Sequence, residues 1–118
     1  MTAAEFRRIA LSLPEAIEAS HMGHADFRVG GKIFATLGYP SDRFGVVVLT
    51  PQDQELLVRD YPKTFAPASG SWGAAGSTTI VLRGANKRAV AIALESAWRK
   101  RAPKQLASAI DRNPRRGR

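Results

Sequence analysis

The chain has 118 residues, 44% hydrophobic and 24% charged, the size and composition of one globular domain, which excludes a chain disordered throughout. It contains no cysteine, which excludes disulfides, thiolate metal sites and a cysteine nucleophile, and fits a reducing cytoplasm. The formal charge of +8 is lopsided: residues 1–82 carry seven Lys/Arg against eight Asp/Glu, whereas residues 83–118 carry eleven against two.

Taken in chain order, Thr2-Ala3-Ala4-Glu5 reads as a capping box, and Phe6, Ile9, Ala10 and Leu13 follow at helical spacing until Pro14 stops the helix. Glu5 and Pro14 also break up the apolar stretch a signal peptide would need. From Glu15 to Leu49 the period changes to two. Ile17–Ser20, Phe27–Val29, Lys32–Leu37 and Phe44–Leu49 read as strands of an antiparallel meander. Gly30-Gly31 supplies a two-residue hairpin turn, and Phe44–Leu49 is apolar enough to be covered on both faces.

Thr50-Pro51-Gln52-Asp53 opens a second helix with a cap, a proline at N1 and an acid in the first turn; Leu56 and Leu57 form its apolar face and Tyr61-Pro62 ends it. Residues 66–77 read as a Gly/Ala/Ser/Pro loop holding Trp72, and Thr78–Leu82 as a strand. Asn86 caps the last long helix, which turns Val90, Leu94, Ala97 and Trp98 inward and Arg88, Glu95 and Arg99 outward. Pro103 interrupts, and Leu106 and Ile110 mark one further short helix. The order α-β-β-β-β-α-β-α predicts an α+β sandwich, an antiparallel sheet with the terminal helices packed on one face. Residues 1–110 form the single expected domain and 111–118 a basic, disordered tail.

Gly23-His24, then Phe27–Ala35, then Trp72-Gly73, then Ala97-Trp98 with Ala102-Pro103-Lys104 together resemble the MmcQ/YjbR family of small bacterial proteins over roughly residues 2–110. The resemblance implies a fold similar to the bacterial frataxin homologue. It also implies DNA binding, the label such proteins commonly carry because of a proposed double-wing arrangement, and it brings no catalytic residues. An iron-handling role would need a cluster of exposed carboxylates, and the first helix offers only Glu5 against Arg7 and Arg8.

Thirteen of the eighteen basic residues are arginine, whose planar fork matches phosphate oxygens. The charge alone suits a polyanion, either nucleic acid phosphates or an anionic membrane surface. Taken with the resemblance, the expectation is a cytoplasmic, monomeric protein that holds nucleic acid, DNA or RNA, weakly through phosphates, with no membrane partner. The candidate contacts are Arg28 and Lys32 beside the hairpin and Arg83, Lys87, Arg88, Arg99, Lys100, Arg101 and Lys104.

His21, His24 and Asp26 have types suited to a facial metal site, but their turn placement favours His24 and Asp26 bonding turn backbone, so no metal or cofactor is expected. Gly30-Gly31-Lys32 opens a strand rather than a helix and is not a phosphate loop. Trp72 either stacks on a base or a small aromatic ligand, or plugs the open end of the sheet as a buried anchor. The alternative to nucleic acid is a small-molecule or protein binding module using a pocket near Trp72, His21 and His24. No enzyme triad or nucleophile elbow is legible, so a non-enzymatic domain is expected ahead of an unrecognised enzyme.

Overall fold

A computed structural model describes residues 1–111, with side chains described through Ala109. Its elements are α1 (Ala3–Ser12), β1 (Ile17–His21), β2 (His24–Val29), β3 (Lys32–Leu37), β4 (Phe44–Val48), α2 (Pro51–Asp60), β5 (Phe65–Pro67), α3 (Gly70–Ala74), β6 (Ser77–Val81), α4 (Lys87–Arg101) and α5 (Lys104–Asp111). The strands form one antiparallel sheet in the order β1-β2-β3-β4-β6-β5, and α4 packs on β3 and β4 with α1 and α2 against it, so the α+β sandwich stands.

The helix starts follow from local chemistry. Thr2 Oγ1 accepts from the Glu5 N–H while Glu5 Oε1 accepts from the Thr2 N–H, closing the capping box. Thr50 and Asn86 cap α2 and α4 through the N–H groups of Asp53 and Ala89. The Gly30-Gly31 turn takes φ 58° and 77°, both in the left-handed region that glycine enters freely. Val29 and Lys32 then pair directly across it.

Phe6, Phe27, Phe34, Val47, Phe65, Ile80, Val90, Leu94 and Trp98 make the core between sheet and helices. Trp98 is fully buried and its indole N–H donates to Pro14 O at 2.9 Å, so α4 holds down the end of α1. None of the described helices is long and apolar enough to cross a membrane.

Four local expectations are corrected. β4 buries only alternate residues, Gly45 and Val47; Phe44, Val46 and Val48 lie half-buried on its opposite face. Leu56 is exposed, and α2 instead buries Gln54 beside Leu57. Residues 66–77 are not one loop: Ala66 and Pro67 belong to β5 and Gly70–Ala74 to α3. β2 begins at His24, earlier than the Phe27 suggested by its apolar run. The tail expected over 111–118 falls outside the described residues except for Asp111, which ends α5, and so does the side chain of Ile110.

Candidate functional site

The nine candidate phosphate-binding residues do not form one patch. α4 places Lys87 and Arg88 at its start and Lys100 and Arg101 at its end, about 20 Å apart at 1.5 Å per residue. At the first end, Lys87 pairs with Glu5 of α1, and Arg83 and Arg88 are exposed. The Leu82 N–H donates to Arg43 O at 3.1 Å, so the pairing of β4 with β6 adds Arg43 to this group. Sequence reading missed Arg43, because strand partnership is invisible in its local pattern.

At the second end, Lys100 Nζ donates to Leu49 O at 3.0 Å and Arg101 Nε to Ile33 O at 3.2 Å. Both cations are anchored on main-chain carbonyls, contacts that fix the side chain without cancelling its charge. Burial and the neighbouring Arg101 lower the pKa of Lys100. Lys104 opens α5 beside them, and Lys32 begins the strand whose Ile33 carbonyl receives Arg101. The hairpin tip is seated on the same corner: a Cβ on Gly30 would come within 3.0 Å of Pro103 Cδ. Lys32, Lys100, Arg101 and Lys104 therefore form a basic corner at the α4–α5 junction. Arg99, next to it, pairs with Glu95 at 3.7 Å.

Arg28 has other work. Its Nε and Nη2 donate to Asp26 Oδ1 and Oδ2 at 2.7 and 3.0 Å, and His21 Nδ1 lies 2.7 Å from the same Oδ2. The Arg28 guanidinium, with further help from His21, outweighs the burial of Asp26 and holds its carboxyl below the usual range. A carboxylate only accepts, so His21 carries its proton on Nδ1. This replaces the expected bonding of Asp26 to turn backbone. His24 is correspondingly engaged with an aromatic ring, lying edge-on to Tyr39 with centroids 5.6 Å apart. Among the described residues no group of three His, Cys, Asp or Glu side chains is placed to hold a metal.

The histidines and Trp72 sit at opposite ends of the sheet. His21 and His24 pair across the Met22-Gly23 turn, near the loop that leads into β4, whereas α3 leads into Ser77, which pairs with Val48 at the far end of β4. A cavity of about 340 Å³ is lined by Arg7, His24, Leu37 and Asp42 among others, and Trp72 is not part of it. A pocket shared by Trp72 and the histidine turn is thus not formed. Nor is Trp72 a buried plug: it is 75% exposed.

Among solved structures, a similar one is the crystal structure of Deinococcus radiodurans protein DR2400, which carries the family domain DUF419. It is 18% identical, with a TM-score of 0.71 over 93% of this chain and 88% of that one. No curated protein matches. The sequence profile of the YjbR family matches residues 11–100, from the end of α1 to the Lys100 of the basic corner, and the chain belongs to the YjbR family.

Proposed function

We propose that this protein binds nucleic acid weakly and mainly through phosphates, without catalysing a reaction, as a cytoplasmic monomer. The observation that carries the reading is the carbonyl anchoring of Lys100 and Arg101 beside Lys32 and Lys104. Side chains already fixed lose less conformational entropy on meeting a phosphate, and charges not spent on a carboxylate remain available to it. By sequence, Arg112, Arg115, Arg116 and Arg118 add further positive charge to the chain. Among the described helices, α4 turns its apolar side to the core, so these contacts position the protein without specifying sequence.

The test is titration of labelled duplex DNA, single-stranded DNA and RNA at two salt concentrations. Binding should weaken steeply with salt, and the double variant Lys32→Glu/Lys104→Glu should weaken it further. No binding even at low salt would refute the reading.

The half-open cavity beside His24 favours a second reading, a small polar ligand held by Arg7, His24 and Asp42. A small-molecule screen by thermal shift, with hits lost in His24→Ala, would support it.

A further inference from the structure

Trp72 is a large apolar side chain left in solvent on a backbone that is tightly held. Gln54, buried in α2, donates through Nε2 to Gly73 O at 2.9 Å and Ser77 O at 3.0 Å, tying both ends of the α3–β6 connection to one side chain. Gly73 packs so closely on Ala68 that a Cβ would lie 1.7 Å from Ala68 O, and at Gly76 a Cβ would lie 1.9 Å from Leu49 O. The indole therefore stands on a fixed platform, and burial does not explain its position.

The platform is also joined to the basic corner. The Leu49 N–H donates to Gly76 O at 3.1 Å, and Leu49 O in turn accepts from Lys100 Nζ at 3.0 Å. One residue of β-sheet margin thus connects the strip bearing Trp72 to a cation of the corner.

Resting on the phosphate-binding reading above, we propose that Trp72 is a stacking platform for the bases of single-stranded nucleic acid. The backbone of that strand runs over Lys100 and Arg101 toward Lys32 and Lys104. An exposed indole can stack on any unpaired base, because every base has a π-face; inside a duplex those faces are already covered by neighbouring base pairs. The arrangement selects single strands over duplex and tolerates any sequence. DNA and RNA share this chemistry.

The experiment measures anisotropy of labelled oligothymidylate, oligouridylate, an abasic oligomer of equal length and a duplex against the wild type, Trp72→Ala and Trp72→Phe. Trp72→Ala should weaken binding of oligothymidylate, oligouridylate or both by about 5- to 100-fold. It should leave the abasic oligomer, the duplex and the salt slope unchanged, and Trp72→Phe should restore most of the loss. Unequal losses for the two base-bearing strands would tell DNA from RNA. Equal losses on base-bearing and abasic strands, or no loss at all, would overturn the stacking role while leaving phosphate binding intact. Failure of every nucleic acid to bind the wild type at low salt would refute the underlying reading and this proposal with it.

Discussion

Asp26 and Arg28, two residues apart on β2, form a two-pronged ion pair, Nε to Oδ1 at 2.7 Å and Nη2 to Oδ2 at 3.0 Å. Asp26 is fully buried there, shielded by Arg28 itself and by His21. A lone carboxylate in that place would be costly, so the pair acts as one unit. Asp26→Asn should lower stability by about 1–3 kcal/mol, read as a lower urea midpoint at unchanged m.

A corollary concerns binding. Because its guanidinium is committed to Asp26, Arg28 should add little to phosphate contact. Arg28→Gln should destabilise the fold yet leave the salt slope of nucleic-acid binding unchanged. A slope that fell with Arg28→Gln would place Arg28 in the interface.

The Glu5 carboxylate accepts from Lys87 Nζ and from the Thr2 N–H, and these bonds, Lys87 first, lower its pKa from 4.5 to about 2. The folded value lies below the unfolded one, so the stabilisation is fully present above pH 4.5 and disappears as the pH falls toward about 2. Denaturant midpoints measured across that window should fall with acidification. Lys87→Met should flatten the fall, because it removes the largest cause of the shift.

Gly76 takes φ 119° and has Leu49 O where a Cβ would stand, 1.9 Å away. Gly31 takes φ 77° with open space around it. Gly76→Ala combines backbone strain with a main-chain clash and should cost well over 2 kcal/mol, whereas Gly31→Ala carries strain alone, about 1–2 kcal/mol. Thermal unfolding of the two variants gives the comparison; equal losses would mean that the Gly76–Leu49 approach relaxes.

The two ends of α4 should differ in function. Every phosphate that the protein ceases to neutralise lowers the slope of log affinity against log salt on duplex DNA by about 0.9. Lys104→Gln should produce such a drop and Arg88→Gln should not. The opposite result would move the interface to the end of α4 that carries Lys87 and Arg83.

Features with local causes were legible in the chain alone. Capping at Thr2, Thr50 and Asn86, the two glycines of the β2–β3 turn and the apolar stripe ending at Trp98 each involve residues close along the chain, so their spacing was enough. β5 and α3 were not legible, because Phe65–Pro67 becomes a strand only by pairing with β6, and Gly70–Ala74 is helical where Gln54 ties down its end. Exposure of Trp72 followed from the same packing. The division of the basic residues emerged only in three dimensions. Arg101 meets Ile33 across 68 positions of sequence and Lys100 meets Leu49 across 51, while Lys87 is drawn to Glu5 at the other end of the helix. A count of arginines and lysines records how much charge there is; the antiparallel register decides which end of the sheet it reaches and which acid or carbonyl it meets.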